Sequence, residues 1–142
     1  MASKSIEILK EYKRIKDCII EMEIDHYTIN EDFTVDVDGS VYICDFDLVE
    51  IPIQFGVVTG DFDIGVNELT SLKGCPRKVF GNFDCHANKL LSLDFSPIYV
   101  QGDFICNKNF ANLTLDDVRA ACEVEGDIGD PYNVWNRRIY NR

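Results

Sequence analysis

Four carboxylates are regularly spaced in the middle of the chain, and one histidine lies among them. These are the side chains with the clearest potential for chemistry. They are Asp61, Asp63, Asp84, Asp103 and His86. Paired carboxylates can act in general acid–base catalysis, an Asp–His pair can activate a nucleophile, and clustered oxygen atoms can bind a divalent cation. The elements that position these residues decide between such chemistries.

These positions follow an internal repeat of 21 residues. The phrase Gly60-Asp61-Phe62-Asp63-Ile64 returns as Gly81-Asn82-Phe83-Asp84-Cys85 and as Gly102-Asp103-Phe104-Ile105-Cys106. Other positions keep the same phase, namely Asn67, Asn88 and Asn109; Leu69 and Leu90; Leu72 and Leu93; Pro76 and Pro97; Val79 and Val100. A degenerate earlier copy begins at Gly39. About four units therefore span residues 39–112.

A fixed period of this length predicts a stacked repeat solenoid, in which each unit buries its apolar side against its neighbours. In each phrase apolar residues alternate with polar ones, which predicts a short strand with one exposed side. Stacked strands lie about 4.8 Å apart, so exposed residues of one phase should form rows. We predict that these rows form a partner-binding face consisting of Tyr42, Asp61, Asp63, Asn82, Asp84, His86, Asp103 and Asn107.

The segments on either side of the repeats are predicted to be caps. Residues 1–38 contain an amphipathic helix from Ser3 to about Ile24, followed by an alternating strand or short hairpin. Residues 113–142 contain a short helix with Thr114 as its N-cap, and then a tail. The tail aromatics are Tyr132, Trp135 and Tyr140. They are expected to dock on the same chain, with a partner surface or a homo-oligomer contact as the alternatives.

The repeat also resembles a known family. The segment Phe83-Asp84-Cys85-His86-Ala87-Asn88-Lys89-Leu90 has the order apolar-x-apolar-x-x-Asn-x-apolar and is similar to the leucine-rich-repeat pattern. The resemblance implies short parallel strands on one concave face, an irregular return path, and asparagines that turn inward to bond the backbone. Together with the flanking segments, it predicts a leucine-rich-repeat-like solenoid with helical caps at both ends.

A short-repeat subtype from tailed phages and bacteria is the closer resemblance. The string from Asn67 to Cys85 is similar to the unit repeated in small phage proteins, and the likeness covers roughly residues 25 to 112. The chain departs from the pattern at both ends, where Phe46 replaces the asparagine and Ala111 stands at a leucine position. The resemblance implies a phage-encoded protein acting in the host cytoplasm.

Composition argues against several functional classes. The net charge is −11, and residues 17–72 hold fourteen acidic residues without one Lys or Arg. This charge should repel nucleic acid and anionic membranes, so neither is an expected direct partner. No apolar run approaches the roughly 18 residues of a membrane helix, which favours a cytoplasmic protein. Cys85 and Cys106 share the phase of isoleucines elsewhere, so reduced core thiols are expected instead of disulfides or a zinc site.

Catalysis is not expected. Carboxylates in a regular row should face water, without an apolar enclosure to shift their pKa values. His86 has no serine or cysteine that the spacing places beside it, and no glycine loop that could cradle a phosphate leads into a helix. We therefore predict no catalytic residue, no cofactor and no dedicated metal site.

The sequence thus predicts a non-enzymatic protein-binding module. Its acidic face would engage a basic surface on a host protein, such as a defence or nucleic-acid-handling factor, and alter or block it as a counter-defence protein. Two alternatives are an acidic mimic of nucleic acid and a structural protein that self-associates. The simplest alternative is a solvated face whose charges only prevent aggregation of a parallel sheet.

Overall fold

The computed structural model describes residues 2–129, which form one long helix followed by five turns of a parallel β-solenoid. The first sheet has the strand order β1-β2-β4-β6-β8-β10 and the second sheet the order β3-β5-β7-β9-β11. The elements are α1 (Ala2–Glu21), β1 (Tyr27–Ile29), β2 (Val35–Val37), β3 (Val41–Tyr42), β4 (Phe55–Val58), β5 (Phe62–Asp63), β6 (Lys78–Val79), β7 (Phe83–Asp84), β8 (Tyr99–Val100), β9 (Phe104–Ile105), α2 (Leu115–Ala121), β10 (Glu123–Val124) and β11 (Ile128–Gly129).

Each turn contributes one strand to each sheet, and a glycine-containing corner joins the two strands. Neighbouring turns pair in parallel at a spacing of 21 residues, as in Phe62 with Phe83 and Val79 with Val100. The predicted solenoid of short parallel strands is therefore confirmed. The spacing follows because only a whole repeat returns each apolar side chain to the inside.

A column of phenylalanines fills the core behind the second sheet. Phe62, Phe83 and Phe104 are fully buried, with ring centroids 6.0 Å apart in the first pair and 4.9 Å apart in the second. Burying one such side chain contributes roughly 1.5–3 kcal/mol. The buried thiol of Cys85 lies in the same core and forms no disulfide, as predicted for a small apolar residue.

Asparagines stabilise the bend that follows each strand of the second sheet. Asn88 is 5% exposed; its Nδ2 donates to Ile64 O at 3.0 Å and to Cys85 O at 3.2 Å, and its Oδ1 accepts from Leu69 N at 3.0 Å. Asn67 and Asn109 make equivalent bonds in their own turns. The prediction that these amides turn inward to bond the backbone is confirmed.

The first sheet was not predicted. Parallel strands were expected on one face only, but Lys78–Val79 and Tyr99–Val100, from the expected irregular return path, pair in a second layer. Each of these strands has only two residues, one of them a fully buried valine. Alternation over two residues is too short to show as a period in the sequence.

The C-terminal helix does not end the solenoid. Thr114 caps α2 as predicted, since its side chain accepts from Asp117 N at 3.2 Å. The chain then continues into β10 and β11, which pair with β8 and β9 as a fifth turn. The prediction of about four units that end at residue 112 is therefore wrong, because a fifth turn follows. The 21-residue period does not reveal the fifth turn, because α2 lengthens the spacing to 24 residues, as in Tyr99 with Glu123.

The tail aromatics Tyr132, Trp135 and Tyr140, which were expected to dock on the same chain, lie outside the described residues.

Only the second half of α1 packs against the solenoid. Ile15 and Ile19 of α1 join the apolar core cluster together with Met22, which directly follows the helix. Four other apolar residues of the predicted amphipathic helix, namely Ile6, Leu9, Tyr12 and Ile20, are exposed. Arg14 Nη1 donates to Pro52 O at 2.7 Å and ties the helix to the first turn. The segment after α1 forms the predicted hairpin, with β1 and β2 antiparallel.

Val66 occupies a strained backbone position, and its replacement by asparagine should stabilise the protein. Its φ is 54°, in a bend where Asp45, Ala87 and Lys108 of other turns have similar values. The left-handed region costs an L-residue roughly 1–2 kcal/mol, most for a β-branched side chain, and asparagine tolerates it better. Thermal unfolding of Val66→Asn should show a midpoint about 2–4 °C higher for each kcal/mol gained.

Val49→Asn is the matched control, because Val49 is also exposed but has no positive φ. A similar shift in both variants would show that side-chain polarity, and not backbone strain, causes the effect.

Candidate functional site

The outward side of the second sheet brings the predicted partner-binding residues together. Tyr42 pairs with Asp63, Asp63 with Asp84, and Asp84 with Ile105, so these positions form one row across the strands. The phenylalanine beside each outward residue of β5, β7 and β9 points into the core. Since side chains alternate along a strand, the row points away from the core. We call this side of the second sheet, with its flanking corner residues, the outer face.

A second row lies at the corner before each strand. The positions are Ser40, Asp61, Asn82 and Asp103. In each case the side-chain oxygen accepts the backbone N–H of the equivalent residue in the next turn, at 2.8–2.9 Å. These residues therefore join successive turns as well as carrying charge. Sequence reasoning missed this role, although every residue at this phase has a short side chain with an oxygen acceptor.

Asp61 is held by both carboxylate oxygens. Its Oδ1 accepts from Asn82 N at 2.8 Å, and its Oδ2 accepts from the hydroxyl of Tyr42 at 2.9 Å. Tyr42 is 57% exposed, so this pair presents an aromatic ring and a carboxylate together at the surface. These two hydrogen bonds fix the orientation of the Asp61 carboxylate.

Asp63, Asp84 and His86 form the half-buried part of the outer face. Asp84 Oδ1 lies 2.6 Å from His86 Nδ1 and also accepts the backbone N–H of His86 at 3.0 Å. Asp63 Oδ1 accepts Gly65 N at 2.9 Å. A Cβ atom on Gly65 would lie 2.7 Å from His86 Nδ1, so the missing side chain makes room for the imidazole ring.

The pKa of Asp63 is shifted, although no shift was expected for the carboxylates of this face. Burial raises the pKa of Asp63, its hydrogen bond from Gly65 opposes this, and the nearby Asp84 carboxylate raises that pKa further. The expectation that all of these carboxylates face water is therefore wrong for Asp63. The pKa of the Cys44 thiol is raised mainly by partial burial and, to a smaller extent, by the negative charge of Asp63. Cys44 is thus protonated at neutral pH and is a poor nucleophile.

The remaining predicted residues lie beside these rows. Asn82 is exposed and Asp103 half-buried in the corner row, while Asn107 follows His86 one turn on, where its carbonyl accepts the backbone N–H of Ala87 at 3.0 Å. Within residues 2–129 there is no cluster of three or more His, Cys, Asp or Glu side chains arranged to hold a metal ion. All eight predicted residues thus belong to one continuous surface.

A groove elsewhere was not foreseen from the sequence. It has a volume of about 420 Å³ and lies between α1 and the return paths of the first turns. Its lining includes Arg14, Phe33, Ile51 and Gln54, and it contains none of the predicted partner-binding residues. Its residues come from segments far apart in sequence, so no local pattern indicated it.

Comparison with known proteins gives no relative from which a function can be transferred. No family model matches the chain, and no curated protein or solved structure matches it either. Along the described part of the chain, no helix has the length and apolar character needed to cross a bilayer. The case for a function therefore depends on the geometry of the outer face.

Proposed function

We propose that the chain is a non-enzymatic protein-binding module whose outer face engages a basic protein surface. The observation that carries this proposal is the fixed orientation of Asp61, which is bonded to the next turn and to the exposed Tyr42. Side chains that are ordered before binding lose less conformational entropy in a complex. A rigid carboxylate and an adjacent aromatic ring together suit recognition of arginine or lysine.

The charge distribution supports the same partner chemistry. The chain has a net charge of −11, and the outer face combines the carboxylates of Asp61, Asp63, Asp84 and Asp103. Opposite charges on two proteins steer their encounter and speed association. Because Asp63 and Asp84 are half-buried, their interactions are screened less than those of fully exposed groups.

The chemistry of the outer face favours binding over catalysis. The thiol of Cys44 stays protonated at neutral pH because its pKa is raised. The carboxylates of Asp61 and Asp63 accept backbone N–H groups of the solenoid, which assigns them a structural task. We accordingly assign no catalytic residue and no cofactor.

The finer identity rests on the family resemblance. We propose a leucine-rich-repeat-like protein encoded by a tailed phage that binds a host protein in the cytoplasm. A defence or nucleic-acid-handling factor is the favoured target class, because such proteins carry basic surfaces. Covering that surface would block the target, which is how a small rigid acidic protein could inhibit it.

We also propose that α1 closes the N-terminal end of the solenoid. Ile15 and Ile19 pack into the same cluster as Val35 of the first turn, and Arg14 bonds the carbonyl of Pro52. Covering the first turn removes apolar surface from water and shields strand edges. Such a cap leaves the outer face open for a partner.

Affinity capture with matched charge variants tests the proposed interface. Asp61→Asn/Asp63→Asn removes two charges but keeps an oxygen acceptor at each position, as Asn82 does naturally in the next turn. We expect the partner to bind this variant at least about tenfold more weakly, equivalent to about 1.4 kcal/mol. Glu7→Gln/Glu21→Gln removes the same charge from exposed positions on α1 and should leave binding unchanged.

Equal retention by all three baits would refute the outer face as the binding site. Competition by DNA would instead favour the mimic of nucleic acid, with a steep dependence on salt. Self-association has one specific observation in its favour, since Ile6, Ile8 and Leu9 are all at least half exposed on α1. A defined oligomer that persists in the charge variant would support that alternative.

A further inference from the structure

The first half of α1 carries apolar side chains that are exposed to water. Every residue of the range 3–10 is exposed, whereas Ile15 and Ile19 of the second half are buried. Ile6 is 50% exposed and Leu9 is 66% exposed. These two residues lie three positions apart, so they are neighbours on the helix surface and form an apolar ridge. Helices in proteins gain most of their stability by packing an apolar face, and this ridge is not packed by the solenoid.

An apolar groove lies beside this ridge. It has a volume of about 390 Å³ and lies between α1 and the β1–β2 hairpin, and its apolar lining consists of Ile8, Tyr12, Ile29 and Phe33. Tyr12 is three positions from Leu9, so the ridge and the groove occupy neighbouring sides of the same helix. The residues that line the groove do not include those of the outer face.

The ridge and the groove carry opposite charges. Lys10 directly follows Leu9 and lies one helical turn from Ile6, whereas Glu31 lines the groove and Asp32 follows it. The net charge of −11 makes two copies of the chain repel each other in most orientations. In α1, by contrast, five basic side chains stand against four acidic ones. An approach through α1 therefore meets little repulsion and brings opposite charges together.

We propose that two copies of the chain form a symmetric dimer through the first half of α1. The ridge of each copy inserts into the groove of the other, so the same contact is made twice around a two-fold axis. Lys10 of one copy then faces Glu31 of the other. A second copy suits this surface because each chain carries both complementary parts, and a ridge cannot fill a groove that lies beside it on the same helix.

Such a dimer would present two outer faces. A partner with two basic sites could bind both faces at once, which raises the overall affinity without any new contact. This consequence rests on the proposed function, whereas the dimer itself does not.

Sedimentation velocity of the full chain tests the dimer at about 1–100 µM, a range that brackets a micromolar dissociation constant. The wild type should change from monomer to dimer as its concentration rises. Ile6→Gln/Leu9→Gln should raise the dissociation constant at least about tenfold, because the ridge loses its apolar side chains. The matched control is Leu91→Gln/Phe110→Gln, which replaces side chains that are 70% and 67% exposed in later turns and should leave the dimer unchanged.

Charge reversal tests which surfaces meet. Lys10→Glu should raise the dissociation constant about fivefold, because it creates two contacts between like charges in each dimer. Lys10→Glu/Glu31→Lys should restore the wild-type value, because both contacts regain opposite charges. Lys10 and Glu31 are exposed, so the fold should tolerate both changes, and circular dichroism checks this.

A wild type that stays monomeric across the whole range would overturn the proposal. In that case, slow hydrogen exchange in residues 3–10 would assign the ridge to another part of the same chain. A dimer that Ile6→Gln/Leu9→Gln leaves intact would overturn the proposal too. So would a dimer that Lys10→Glu weakens and Glu31→Lys does not restore, because the ridge of one copy would then not face the groove of the other.

The dimer and the proposed function fail separately. A dimer that captures no partner would refute the proposed function alone and leave self-association as the function. A monomer that captures a partner through the outer face would refute only the dimer.

Discussion

Asn67→Ala is expected to destabilise the fold by about 3 kcal/mol or more, because several buried backbone groups lose their partner together. Asn67 is 8% exposed. Its Nδ2 donates to Ile43 O at 2.9 Å and Ile64 O at 3.1 Å, and its Oδ1 accepts from Phe46 N and Leu48 N, both at 3.0 Å. The Asn67 amide joins two turns, so its removal leaves backbone groups of both turns without a hydrogen-bond partner.

Urea unfolding followed by circular dichroism measures this effect. Asn67→Asp is the informative second variant, because it keeps the oxygen acceptors but turns a carboxylate oxygen toward carbonyls, so it should also be strongly destabilised at neutral pH. Asn112→Ala, at an exposed position, should change stability by less than about 0.5 kcal/mol. Equal effects at Asn67 and Asn112 would show that the inward amides add little to the fold.

Gly81→Ala is expected to destabilise the protein by a similar amount through crowding. Gly81 N donates to Gly60 O at 2.9 Å, and Gly102 N donates to Gly81 O at 2.9 Å, so the glycine corners stack directly on one another. A Cβ atom on Gly81 would lie 2.6 Å from the carbonyl carbon and oxygen of Gly60. Overpacking typically costs about 1–3 kcal/mol, and we expect the upper end of that range here because the backbone is held by hydrogen bonds on both sides.

The control for this variant changes the same corner without adding volume. Asn82→Ala removes one hydrogen bond to Asp103 N and should cost about 1 kcal/mol. Calorimetric melting should therefore rank the wild type first, Asn82→Ala second and Gly81→Ala last. If Gly81→Ala melts with or above Asn82→Ala, the stack of corners must be looser than the distances indicate.

The sequence predicted the solenoid because the repeated residues are those that determine its interior. Phe62 and Phe83 must both be buried, and the period follows from that requirement. The first sheet could not be predicted, since a strand such as Lys78–Val79 offers only one buried residue. The fifth turn was hidden for another reason: α2 shifts Gly126-Asp127-Ile128 three residues out of phase with the earlier units.

The sequence predicts which residues form the outer face, but it does not predict the hydrogen bonds that these residues make. Phase alone places Asp63 and Asp84 in one row, so the surface could be drawn from the sequence. Charge counting could not show that Asp61 accepts a backbone N–H from the next turn, or that His86 lies over Gly65. Those facts depend on contacts between residues about 21 positions apart, which the identity of one residue does not reveal.

Each turn bonds to the next through the same corner atoms, so whole turns can be added or removed without changing how neighbouring turns bond. A duplicated 21-residue unit between Gly81 and Gly102 would meet its proper neighbour on both sides and lengthen the outer face by one row, about 4.8 Å. The return path containing α2 shows that extra residues are accommodated there while both strands keep their pairing. Evolution, or an engineer, can therefore set the length of the outer face by adding whole units while the neighbouring turns keep their pairing.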